Sequence, residues 1–312
     1  MNAGRLGVMT SDSTPKMHAH QLDVSDDDVR RLIGTQFPGW AHESVRRVPS
    51  YGTTNAMFKL GADKVVRLPF IPGDGVGVPV ETAILERVSG QLPVAIPAVL
   101  ANGRADERYP YTWSVLAWVE GEMPVPESLP DAAGLVDDLV GFLARLRELP
   151  TEGVRRAQRG GPLASLAEPV RETMRELQGE FDTDALLELW SDALAAPEWH
   201  GDPVWLHADL LPSNLLVDSR GRLAGVIDWA AAGVGDPSCE LLAAWNVFPA
   251  DARDLFRARL IERLGLDDAM WRRGRGWAIA QAVLALPYYR DTNAGMVEMA
   301  TRALRALEVE PL

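Results

Sequence analysis

His207-Ala208-Asp209-Leu210-Leu211-Pro212-Ser213-Asn214, running on through Leu215-Leu216-Val217-Asp218 and returning along Leu223 to Trp229, is the stretch that decides the fold. An Asp and an Asn five residues apart share one loop that enters a strand. Ser219-Arg220-Gly221 makes a turn, and a second carboxylate, Asp228, ends the returning strand. Such a hairpin brings Asn214 and Asp228 together, because one begins its first strand and the other ends its second. Two hard oxygen ligands side by side, with room for water and phosphate oxygens, suit Mg²⁺. Asp209 then stays free to accept a hydroxyl proton. His200-Gly201-Asp202 lies close by, but five residues after Asp202 stands His207 and not an amide, and no apolar strand follows.

The H-x-D-x-x-x-x-N spacing followed by an Asp at a strand end resembles the catalytic and metal-binding motifs of protein kinases. With Ile227-Asp228-Trp229 and then Gly235-Asp236-Pro237, the chain more closely resembles the aminoglycoside phosphotransferase family, over roughly residues 24–310. The resemblance implies an α+β, two-lobed protein-kinase-like fold, with a small β-rich N-terminal lobe and a larger helical C-terminal lobe. It makes Asp209 the catalytic base, Asn214 and Asp228 the Mg²⁺ ligands, and His207 a brace for the loop. ATP or GTP would be the phosphoryl donor. Asp236, with Pro237 after it and an apolar helix beyond, reads as an N-cap with a structural role. Three positions depart from the family pattern: Ala208 replaces the usual Gly, Glu240 the usual Asp, and Arg147 a residue near a common His.

Upstream, the strand Lys64 to Leu68 offers two cations for the nucleotide phosphates. Alternation puts Val65 and Arg67 on one face and Lys64, Val66 and Leu68 on the other. In the V-x-K manner of kinase-like strands, Val65 would touch the base and Arg67 the phosphates; Lys64 is the alternative. A helix over residues 80–89 carries Glu81 on the face of Ile84, Leu85 and Val88, and a carboxylate on a buried face needs a cation. Glu81 is therefore the expected partner of Arg67. The loop Ser50 to Asn55, with Ser50, Gly52, Thr53 and Asn55, would cover the phosphates. A further strand, Trp113 to Val119, looks like the lead-in to a hinge whose backbone at Ala117 and Val119 would bond the base. Gly73, Gly75 and Gly77 lie among prolines and read as a connector, which weakens a dinucleotide-binding reading.

These pieces divide the chain into a disordered leader (1–21), a nucleotide-binding lobe (22–117), a hinge (118–121) and a catalytic, substrate-binding lobe (122–312). The 312 residues are 47% hydrophobic and 24% charged, as expected of a globular protein. A net charge of -13 argues against nucleic acid or an anionic membrane as partner. The one cysteine, Cys239, excludes an internal disulfide. Met1 to Lys16 lacks the apolar run of a signal peptide, and the longest uncharged apolar run, Trp277 to Tyr289, is too short to span a bilayer. A cytoplasmic protein is expected. Its acceptor would be a small molecule, and family and acidity together suggest a cationic or polyhydroxylated antibiotic, inactivated by modification. On amphipathic helices Glu168, Glu172, Glu176, Asp182, Asp184, Glu188 and Asp192 read as a solvated face; if several instead rim the cleft, they would pair with a cationic acceptor. A macrolide, amino alcohol, sugar or other metabolite is the alternative acceptor, and a non-catalytic nucleotide-binding pseudokinase the alternative class.

Overall fold

A computed structural model describes residues 16–18, 20–49, 52–72 and 77–310. Ser50, Gly73 and Gly75 lie outside the described residues, as does most of the expected leader.

The first helix, α1 (Asp26–Gln36), starts at Ser25, whose hydroxyl accepts from the Asp28 amide while the Asp28 carboxylate accepts from Ser25 in return. This capping box satisfies two otherwise orphaned donors. The helix buries Val29, Leu32 and Ile33 against an antiparallel sheet. That sheet runs β1 (Val45–Arg47), β2 (Asn55–Leu60), β3 (Lys64–Pro69), β5 (Trp113–Ala117), β4 (Val99–Gly103) in spatial order. Gly61, at φ 63°, makes the β2–β3 turn. All of β3 is buried, and its alternation decides the architecture. Val66 and Leu68 join Phe58, Trp113 and Val115 in a core under α1. Val65 faces the other way and joins Leu116 with Ile84, Leu85 and Val88 of α2 (Gly77–Val88) in a second, larger core.

That larger core is mainly helical. It is built by α3 (Ala132–Arg147), α4 (Ala167–Glu176), α5 (Thr183–Ala195), α6 (Ala243–Val247), α7 (Ala250–Leu264), α8 (Asp268–Tyr289) and α9 (Ala294–Glu308). The long α8 runs through its centre and packs on α4, α5 and α9. Two short antiparallel pairs complete the lobe: β7 (Leu215–Val217) with β8 (Leu223–Val226), and β6 (Val204–Leu206) with β9 (Gly233–Gly235). After β5, Gly121 adopts φ 141°, and a Cβ there would lie 2.8 Å from Leu216 Cβ, so the chain leaving the sheet sits directly on β7.

The end of the expected leader is tied down rather than free. Met17 and Leu22 pack on the N-terminal core, Leu22 N–H donates to the Phe70 carbonyl at 2.7 Å, and His18 Nδ1 lies 2.7 Å from the Tyr288 hydroxyl. Among the described residues, no helix is long and apolar enough to cross a membrane.

Candidate active site

Strand β6 delivers the chain into the loop 207–214, which is held from beneath by buried polar groups. His207 is fully buried, with its Nε2 3.0 Å from the Ile227 carbonyl and its ring edge-on to Trp229. Burial pushes its pKa below the ordinary value, so the ring is neutral and Nε2–H donates to Ile227. Ala208 takes φ 66° and donates its amide to Glu240 Oε1 at 2.8 Å. The backbone here is left-handed, so the replacement of the family's Gly by Ala carries a steric cost. A 3₁₀ turn, Pro212–Asn214, then aims Asn214 back at the loop. Its Nδ2 donates to the Asp209 carbonyl at 2.9 Å and to Asp209 Oδ2 at 3.0 Å, which turns the amide oxygen away from Asp209.

The β7–β8 hairpin pairs Leu215 with Val226, and Ile227 N–H donates to the Asn214 carbonyl at 2.9 Å. Asn214 and Asp228 therefore sit together at the hairpin's open end. Asp228 adopts φ 63°; it and Ala208 are the two non-glycine residues with positive φ among the described residues. Both lie beside the same loop, and backbone strain of this kind gathers at functional sites.

The facing wall comes from the N-terminal lobe. Arg67 pairs with Glu81 through Nη1, and its Nη2 lies 2.8 Å from Asp228 Oδ1. The second Glu81 oxygen accepts from the Trp229 amide at 3.1 Å, which fastens α2 to the turn after Asp228. Lys64 points away and pairs with Glu43 at 3.0 Å and Asp63 at 2.6 Å. A cavity of about 740 Å³ separates the two walls. It is lined by Gly52, Thr53, Asn55, Val65, Arg67, Glu81, Ala117, Val119, Asp209, Asn214 and Asp228. His207 and Asp236 lie behind the lining. Asp236 accepts from the Ser238 amide at 2.9 Å as an N-cap and pairs with Arg273 at 2.7 Å. At the expected hinge, Ala117 N–H donates to the Ala98 carbonyl at 2.8 Å, while among the described residues the Val119 amide has no backbone partner.

Sequence reasoning missed Arg159. Its Nη1 lies 2.6 Å from Asp209 Oδ1 and 3.0 Å from the Ala208 carbonyl. The segment that carries it bonds along β9: Ala157 N–H donates to Val234 and Asp236 N–H to Gly160. Gly233-Val234-Gly235 was the available signal. A Cβ on Gly233 would lie 2.5 Å from the Ala157 nitrogen, and one on Gly235 would lie 2.8 Å from the Gly160 carbonyl. The role of Glu240 was also missed. It is fully buried, and desolvation raises its pKa to about 7 despite the loop amide bonded to it.

The helix carboxylates that could have met a cationic acceptor are not among the residues that line the cavity. Glu168, Glu172, Glu176, Asp184 and Glu188 are exposed on helix surfaces. Asp182 caps α5, and Asp192 pairs with Arg272 and Arg275.

The donor set itself fits Mg²⁺: an amide oxygen and a carboxylate, both hard, at the mouth of one hairpin beside a guanidinium-lined cavity. The model of one protein family matches residues 45–277, which takes in β1 through the middle of α8. The chain belongs to the phosphotransferase enzyme family. Solved structures in the same fold include the GDP complex of wild-type aminoglycoside 2'-phosphotransferase-IIIa, at TM-score 0.70 and 19% identity, covering 91% of this chain and 99% of that one. A macrolide 2'-phosphotransferase from Brachybacterium faecium aligns at TM-score 0.59 and 22% identity, covering 89% and 98%. An uncharacterized Bacillus subtilis (strain 168) protein, YcbJ, is 36% identical over 50 residues, a match spanning 16% of each chain. Family membership and these likenesses establish the two-lobed protein-kinase-like fold; at such identities they leave the acceptor to the residues of this chain.

Proposed function

We propose that this chain transfers the γ-phosphoryl group of a nucleoside triphosphate to a hydroxyl of a small molecule, with Mg²⁺ as cofactor. The observation that carries the reading is convergence: Asp209, Asn214 and Asp228 meet Arg67 and Glu81 across one cavity. Asp209 accepts the acceptor's hydroxyl proton. The acceptor oxygen then bonds to the γ-phosphorus as the bond to the β–γ bridging oxygen breaks, and that oxygen leaves with the nucleoside diphosphate. Asn214 and Arg159, each bonded to the Asp209 carboxylate, hold the base in place. Arg67, braced by Glu81, meets the phosphates, and its guanidinium fork suits them. Asn214 and Asp228 would hold Mg²⁺, which when bound neutralises charge on the phosphate oxygens. Gly52, Thr53 and Asn55 cover the phosphates, with Ser50 at the start of the same loop. Val65, Ala117 and Val119 enclose the base of ATP or GTP.

Aminoglycosides, macrolides, amino alcohols and sugars all offer a hydroxyl to this chemistry, and modification of an antibiotic among them would confer resistance. The reading is tested by titrating Mg-ATP and Mg-GTP into wild type and Asp228→Ala in a calorimeter. The variant should lose metal-dependent nucleotide binding; unchanged binding would remove Asp228 from the metal site. Slow nucleotide hydrolysis by the wild type separates an enzyme from a binding-only pseudokinase.

A further inference from the structure

The longest uncharged apolar run of the sequence, Trp277 to Tyr289, is the second half of α8. It does not simply fill the core. Trp277, Gln281, Leu284 and Tyr288 recur at helical spacing along one face, and all line the cavity that holds Asp209. Leu166 and Met296 extend the same apolar wall, and Tyr288 is 58% exposed there.

The charges of the cavity are already spent on one another. Among the described residues its lining carboxylates are Glu81, Asp209 and Asp228; the first and third bond Arg67, and the second bonds Arg159. An ammonium group entering beside Asp209 would have to displace a guanidinium, with none of the helix-surface carboxylates within the lining to receive it. Among the described residues Trp277 Nε1 and Gln281 Oε1 have no hydrogen-bond partner, but both atoms are closed off from the cavity, so what α8 offers an acceptor is the apolar flank of Trp277, Leu284 and Tyr288.

Resting on the phosphotransfer reading, we infer that the acceptor is an uncharged hydroxyl compound with an apolar body, held by the α8 wall, rather than a polycation. The apolar body lies along Trp277, Leu284 and Tyr288, in the same cavity as Asp209.

The test measures binding to the full-length chain in the presence of a non-hydrolysable ATP analogue and Mg²⁺. The probes are methyl β-glucoside, octyl β-glucoside and kanamycin. The two glucosides carry the same hydroxyls and differ in apolar length, and kanamycin represents the polycation. Octyl glucoside should bind at least about tenfold tighter than methyl glucoside, since its longer chain buries apolar surface that the methyl group lacks. That gain should shrink in Leu284→Glu and Tyr288→Ala, surface-accessible positions whose variants can be checked for folding by unchanged binding of the nucleotide analogue. Equal affinity for the two glucosides would overturn the inference. So would kanamycin binding tighter than both, with an affinity that falls as salt rises. If the nucleotide analogue fails to bind while octyl glucoside still does, the apolar site stands and the phosphotransfer reading falls.

Discussion

Asp209 has two anchors on its carboxylate, Arg159 on Oδ1 and Asn214 on Oδ2. Asp209→Asn keeps the shape and removes the base. Turnover should fall by roughly 10²–10⁴-fold while Mg-nucleotide affinity, read by calorimetry, stays nearly unchanged. Retained turnover would exclude Asp209 as the base. Ala208, at φ 66°, makes a different claim. Ala208→Gly should stabilise the fold by about 1 kcal/mol in urea titrations, because relief of the left-handed Cβ clash outweighs the added freedom of the unfolded chain. A destabilised Ala208→Gly would mean that the loop tolerates the methyl without strain. Glu240 carries a pH signature. The folded chain keeps its proton up to about pH 7, while an unfolded glutamate releases it near 4.5. The folded state therefore binds more protons across that window, and stability is lost as pH rises from about 4.5 to about 7. Glu240→Gln should flatten that slope in denaturation curves taken at several pH values; an unchanged slope would assign it to other groups.

At the scale of elements, α2 is the link between lobes. Its Glu81 bonds Arg67 on β3 with one oxygen and the Trp229 amide with the other. The Arg67 and Glu81 side chains are 7% and 4% exposed, so removing Glu81 leaves a buried guanidinium with the more exposed Asp228 as its remaining carboxylate partner among the described residues. Glu81→Ala should cost about 3 kcal/mol of stability by urea denaturation and lower nucleotide affinity together. Loss of stability alone, with nucleotide binding intact, would make the pair purely structural. The β9 strand performs a quieter task, since its two glycines admit the 155–160 segment that carries Arg159 to the base.

Across the whole molecule, what could be read in advance followed from periodicity and spacing. The β3 alternation separated Val65 and Arg67 from Val66 and Leu68, and the structure divides Val65 and Val66 between its two cores. The hairpin from 214 to 228 was legible because turn and strands are contiguous. By contrast β6 and β9, three residues each, are too short for alternation to show. Arg159 arrives from 50 residues away through backbone pairing that leaves only two glycines as a trace. The acidic helices follow the solvated-face reading: a net charge of -13 says nothing about which carboxylates face the cleft, and their side chains turn to solvent or to arginines. The apolar run at 277–289 was weighed only as a membrane span, whereas tertiary packing makes it a wall of the cavity.

The central claim is that a phosphoryl group moves from nucleotide to an organic hydroxyl at Asp209. The direct measurement supplies γ-³²P-labelled ATP and GTP with Mg²⁺ and a panel of hydroxyl compounds, and follows the label in wild type and Asp209→Asn. Mg²⁺-dependent label should appear on at least one organic acceptor with wild type and almost none should appear with the variant. Label appearing only as inorganic phosphate whatever acceptor is present, or equal transfer by the two proteins, would contradict it.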